Sequence, residues 1–212
     1  SPNGRSAPKS SPNASLSASS PGASAFRDLE FCALLVAVLA VGIVFAQHNS
    51  SMPVYLASIL GLNTGTIGLL FTVNMVLIVI FEIPLTTRLA NWSPARALGL
   101  GAGLIAAGFG ALALATQAWQ VALTIMVWTL GEMLLFPAMM SYVTECSPAS
   151  RRGEYMGAYV MSFGASFAIG PWLGTKLMAA YGPQVLWLVM CGLGLASAMG
   201  FVAVSSGRRT SS

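Results

Sequence analysis

The sequence predicts an all-α, polytopic membrane protein with six transmembrane helices, and two observations carry that prediction. Hydrophobic residues fill 56% of the 212 positions and charged residues only 8%, against about 25% charged in an average soluble domain. The charges are also bunched: no Asp, Glu, Lys or Arg occurs from Phe31 to Phe81, from Ala97 to Gly131, from Tyr155 to Thr175, or from Leu177 to Gly207. Such runs reach or exceed the ~20 residues that cross about 30 Å of hydrocarbon.

The elements follow in order. Residues 1–28 are mostly Ser, Pro, Ala, Gly and Asn, offer little apolar surface to bury, and read as a disordered linker or cytoplasmic loop. They are too polar for a signal peptide. Residues 29–206 form the six-helix domain. Helix A covers about Leu29 to Gln47, with an extension past Pro53 to Leu60 left open, and Gly61 to Gly65 make a turn. Helix B covers about Thr66 to Leu89, and the polar turn Asn91 to Pro94 leads to helix C, about Ala95 to Ala115. Helix D runs from about Trp119 to Glu145 with Pro137 inside it, helix E from about Arg152 to Ala180 around Pro171, and helix F from about Gln184 to Val204. Residues 207–212 are left as a cytoplasmic tail.

Loop charges orient the helices. Arg27, Arg88, Arg96, Arg151, Arg152, Arg208 and Arg209 fall on one side if six spans alternate, and only Lys176 lies on the other. Both chain ends are therefore expected in the cytoplasm, and the membrane is expected to be the plasma (inner) membrane. The net charge of +4 is thus topology; no basic patch with interleaved aromatics points to nucleic acid. Cys32, Cys146 and Cys191 have no metal-ligand spacing, and His48, placed at the external end of helix A, has no ligand cluster around it. No metal, cofactor or enzymatic chemistry is expected.

Glycines give the packing surfaces. Helices C and E are rich in them, and helix E carries two small-xxx-small pairs, which let backbones approach where lipid supplies little hydrophobic gain. Gly157, Gly170 and Gly174 are the close-packing or bending positions there. Pro137 and Pro171 each remove an intrahelical hydrogen bond and favour a kink.

Three polar residues sit where lipid penalises them. Glu132 is 13 residues from both Trp119 and Glu145, about 20 Å from either end of its helix. A carboxylate at that depth faces the bundle interior or a wet cavity, or carries a proton. Asn74 lies near the middle of helix B, and Glu82 nearer its cytoplasmic end. Plainer roles stay open: a hydrogen bond between helices for Glu132 and Asn74, and a loop arginine or water for Glu82. Trp128 and Phe136, one turn either side of Glu132, line an apolar cavity or belong to the core or the lipid face.

The segment Pro84 to Leu98, PLTTRLANWSPARAL, resembles the loop between the second and third helices of each half of the major facilitator superfamily. There a glycine, an acid and several basic residues hold a cytoplasmic gate. The resemblance makes Arg88 and Arg96 basic members of that loop, while Asn91 stands at the acidic position and Thr87 at the glycine. Gly131-Glu132 with Pro137, Ser147-Pro148 to Arg152-Gly153-Tyr155-Gly157, and Gly170-Pro171 with Gly174 are similar to proton-coupled drug and metabolite exporters. On this resemblance Glu30 to Arg209 match helices seven to twelve, one half of a twelve-helix bundle, with the central cytoplasmic loop before them. Six further helices are then expected upstream, as the missing amino-terminal half.

The resemblance implies transport of a small solute by alternating access, with a proton as the coupling ion and efflux by antiport favoured. It implies no covalent chemistry. Lipid, solute, proton and the other half are the expected partners. A six-span scaffold or assembly protein without transport activity, or a channel, are the alternatives.

Overall fold

The computed structural model describes residues 25–89 and 91–210, with the last four by backbone alone. Expectations for residues 1–24, for residues 211–212 and for the Arg208 and Arg209 side chains lie outside the described residues. Asp28 starts the bundle: its carboxylate accepts the Phe31 N–H at 3.0 Å and caps α1, Leu29–Ala46. Helical structure does not stop at Gln47. A 3-10 turn, Gln47–Asn49, leads into α2, Ser51–Ser58, and the two helices make one apolar span of 30 residues, Leu29–Ser58.

His48 sits in that turn, just after the end of α1, with 8% of its surface exposed. The continuation into α2 has a local cause. The Ser50 hydroxyl donates to the Ala46 carbonyl at 2.9 Å, which keeps the chain turning. Pro53 falls in the first turn of α2, where a missing N–H costs little. The reversal comes later, at residues 59–63, where Gly61 takes φ 63°.

Asn63 caps α3, Thr64–Arg88, by accepting the Thr66 N–H at 2.8 Å. Pro94 occupies the first turn of α4, Pro94–Ala111, and a 3-10 turn, Leu112–Leu114, prolongs that helix. A capping box between Gln117 and Gln120 opens α5, Ala118–Cys146. After a 3-10 turn at Ala149–Arg151 comes α6, Arg152–Tyr181, and Gly182 with φ 88° hands the chain to α7, Pro183–Thr210. The helix α7 thus continues past Val204 into positions read as tail.

Among the described residues every regular element is helical, and five segments are long and apolar enough to cross a membrane: Leu29–Ser58, Thr64–Arg88, Pro94–Leu114, Ala118–Cys146 and Pro183–Ser206. With 30 residues α6 has the length, while its glycines, serines and tyrosines dilute its apolarity.

Contacts arrange the long helices in an arc. α3 packs on α5, α5 on α4, α4 on α7, α7 on α1 and α1 on α6, while α5 and α6 touch only sparsely. Its two rims are α3 and α6. Glycine makes the inner seam possible: a Cβ on Gly131 would lie 2.6 Å from the Gly101 carbonyl oxygen, and one on Gly108 would lie 2.6 Å from the Trp128 Cβ. Backbones of α4 and α5 therefore touch directly. At the start of α6, Arg151 pairs with Glu154, whose other carboxylate oxygen accepts the Ala25 N–H at 2.8 Å, tying the approach to α1 against α6.

Candidate functional site

The best-connected intramembrane polar site joins α3 and α5. The Asn74 side chain, 1% exposed, donates from Nδ2 to the Thr129 hydroxyl at 2.9 Å and to Glu132 Oε2 at 3.2 Å. Thr129 in turn donates to the Ile125 carbonyl at 2.6 Å, so its oxygen is oriented to receive the amide. Helical spacing explains the pair: Thr129 and Glu132 are three residues apart and share the face of α5 that meets α3. Glu132 is half-buried and has no cationic partner among the described residues. Glu82 stands two turns further along α3, also half-buried.

Aromatic residues lie within a turn of this cluster along α3 and α5. Trp128 is fully buried, with its ring centroid 4.8 Å from the His48 ring and 5.4 Å from Phe109. Phe136 is half-buried and meets Phe45 edge-on at 4.9 Å and Phe163 at 5.6 Å. Phe71, one turn before Asn74, lies 4.8 Å from His48. The rings thus come from α1, α3, α4, α5 and α6 together, a convergence that no single stretch of sequence announces.

A second polar contact, missed in the sequence, binds the break in the first span to α6. Gln47 is fully buried and donates from Nε2 to the Ile43 carbonyl at 3.0 Å and the Gly170 carbonyl at 2.9 Å. Small residues on α6 leave room for it. A Cβ on Gly170 would sit 2.7 Å from the Ala46 Cβ, and one on Gly174 would collide with Gln47 Oε1 and Ser51 Oγ. Those two oxygens, with His48 Nδ1 and Trp128 Nε1, are buried without a hydrogen-bond partner among the described residues. Pro171 is half-buried beside this contact, and both α5 and α6 continue as helix through Pro137 and Pro171. Gly157, by contrast, faces open space, with nothing within 4 Å of an added Cβ.

At the loop end, Arg88, Asn91 and Arg96 are exposed and make no ion pair among the described residues. The basic members are present without an acid to hold them.

A carboxylate held by one neutral amide and without a cationic partner among the described residues can take and release a proton or bind a cation. Comparison with other proteins agrees with a membrane-embedded chain. The chain is 26% identical over 174 residues to "Uncharacterized MFS-type transporter YqjV" of Bacillus subtilis (strain 168), an alignment covering 80% of this chain and 42% of the relative. It is 27% identical over 155 residues to "Uncharacterized MFS-type transporter YttB" of the same organism, covering 72% of this chain and 39% of the relative. The chain thus spans about two fifths of the length of these relatives. The profile described as Major Facilitator Superfamily matches residues 31–211, most of the chain from α1 onward. With six long helices in an arc and that match along them, this chain belongs to the major facilitator superfamily.

Proposed function

We propose that the chain forms one six-helix wall of a secondary transporter, which moves a small solute across the plasma (inner) membrane by alternating access and couples it to a proton at Glu132. The observation that carries the reading is the Asn74–Thr129–Glu132 cluster: an acid at mid-membrane depth, positioned by an amide from a neighbouring helix and flanked by aromatic rings. Intramembrane acids of this kind are costly and commonly serve ion or proton movement. The two relatives, named as MFS-type transporters, support the transport part of this reading. A second six-helix unit facing the α3 and α6 rims would complete the solute path, since paired halves enclose the site in this class of fold. Arg88, Arg96, Arg151 and Arg152 lie at one end of the bundle and favour both termini in the cytoplasm. Efflux in exchange for protons is the direction the exporter resemblance favours.

Solute binding and protonation then act on one equilibrium, each favouring one orientation of the cavity and so linking the two fluxes. The test is Glu132→Gln in the full-length protein, reconstituted in proteoliposomes with a solute found by uptake screening. The variant keeps size and hydrogen bonding but fixes the site neutral, so proton-driven accumulation is expected to vanish while downhill exchange continues. Glu132→Asp should retain part of the coupling with an altered pH optimum. Accumulation by the Gln variant at the parental rate and proton stoichiometry would overturn the assignment and move the proton to Glu82 or to an acid of the second unit.

A further inference from the structure

We infer that a second ligand site lies at the arginine-bearing end of the bundle, in the wedge between α3, α4 and α5, and that it takes an amphipathic ammonium. A cavity of about 280 Å³ opens there, near the lower end of the roughly 300–1,000 Å³ typical of small-molecule pockets. Leu89 just past α3, Ala97 of α4, and Met133, Leu134 and Ala138 of α5 supply apolar walls. Trp92, from the loop joining α3 to α4, and Glu145, from the last turn of α5, supply the polar mouth.

Charge selects a cation. The C-terminal end of a helix carries a partial negative charge from its unsatisfied carbonyls, and Glu145 stands one residue before the end of α5. Helix and carboxylate therefore repel an anion together. Among the described residues Glu145 has one hydrogen-bond partner, the Ser141 hydroxyl at 3.0 Å, and no cationic one. Trp92 is 40% exposed, and an indole at such a mouth adds attraction for an ammonium over its face. A bare inorganic cation fits less well, because one carboxylate beside apolar walls cannot replace its hydration shell. An alkylammonium uses both parts of the site, its head between Glu145 and Trp92 and its chain along the walls.

The charged mouth of this site is distinct from the Glu132 cluster, since 13 residues of α5 separate Glu132 from Glu145, about 20 Å along the helix, while the apolar inner wall reaches Met133 beside Glu132. It stands whether or not Glu132 carries a proton. The ammonium can arrive as a free amphiphile or as the amine headgroup of a lipid, two sources with the same chemistry.

The experiment titrates 12-bromododecyltrimethylammonium into the full-length protein in nonionic detergent and follows bromine quenching of tryptophan emission, with neutral 12-bromododecanol as the control. Saturable quenching by the ammonium alone is expected. Trp92→Phe should remove the saturable component, Glu145→Gln should raise its half-saturation at least tenfold, and Ala138→Leu, which fills the wedge, should abolish it. Glu145→Gln is the variant least able to disturb folding, so its result decides where the filled variant fails to fold. Competition by added phosphatidylethanolamine assigns the site to lipid, and its absence assigns it to free amphiphiles. Quenching that rises without saturation, or that is unchanged in Glu145→Gln, overturns the proposal.

Discussion

Helices α3 and α4 are neighbours in the chain, both long and apolar enough to span a membrane, yet 44% of the most apolar stretch of α4 is buried against 11% for α3. Water would bury the longer apolar helix. In lipid that drive is missing, because hydrocarbon outside is as apolar as a neighbouring helix. What separates the two is side-chain size and polarity. α4 carries Gly99, Gly101, Gly108 and Gly110, each of which lies against α5 or α7 closely enough that an added Cβ would come within 3.0 Å of a neighbour. α3 has glycines only at its start, with no neighbouring helix within 4 Å of either, and buries Leu70 and Asn74. Helix α4 is thus held by backbone proximity, and α3 by one amide.

The largest expected effect breaks the α4 side of that contrast. A Cβ on Gly101 would lie 2.9 Å from the Leu135 backbone nitrogen, whereas one on Gly103, two residues away, would meet nothing within 4 Å. Gly101→Leu should cost about 1–3 kcal/mol or more through overpacking, and Gly103→Leu less than about 0.5 kcal/mol. The check is the yield of monodisperse protein together with a detergent-unfolding midpoint. Equal losses in both variants would show that burial of α4 does not depend on the glycine seam.

A smaller effect is expected on the α3 side. Asn74→Leu removes the amide that bonds Thr129 and Glu132, and intramembrane hydrogen bonds of this kind contribute about 0.6–2 kcal/mol. Thr129→Val, which leaves the Asn74 contact to Glu132 intact, should cost less. A double-mutant cycle on unfolding free energy separates the Asn74–Thr129 coupling from the rest. A coupling indistinguishable from zero would mean that α3 is held by apolar packing after all.

These contrasts mark how far the sequence can be read. Gaps between charges locate the long helices, because hydrocarbon excludes charge along the whole span, and the expected ends of α3, α4, α5 and α6 fall within a few residues of those observed. The first span was harder. Gln47, His48, Ser50 and Pro53 look like an exit from the membrane, but Ser50 bonds back to Ala46, and Gln47 finds the Gly170 carbonyl 123 residues away. Partners across helices are also what separates the two small-xxx-small pairs of α6. Gly153 and Gly157 face open space, while Gly170 and Gly174 lie against the first span, although their spacing is the same. Depth placed Asn74 and Glu132 in mid-membrane separately; only the seam between α3 and α5 joins them.

The smallest effect is expected in the loop that links the two helices. Arg88, Asn91 and Arg96 are exposed and make no ion pair among the described residues, so neither arginine has a desolvated partner to lose. Arg88→Gln and Arg96→Gln should each change the unfolding midpoint by no more than the equivalent of about 0.5 kcal/mol. Asn91→Asp places a carboxylate between the two arginines. A pair formed there would be solvent-exposed, and exposed pairs contribute at most about 1 kcal/mol, less at high salt. The measurement is the midpoint of Asn91→Asp alone and combined with each arginine substitution, at low and high salt. A gain that appears at low salt, fades at high salt and disappears when one arginine is replaced would identify the partner and show that the loop can close once it has an acid. A loss of more than about 1 kcal/mol on replacing either arginine in the unmodified chain would show instead that the loop already clamps α3 to α4, and α3 would then be held by more than its single amide.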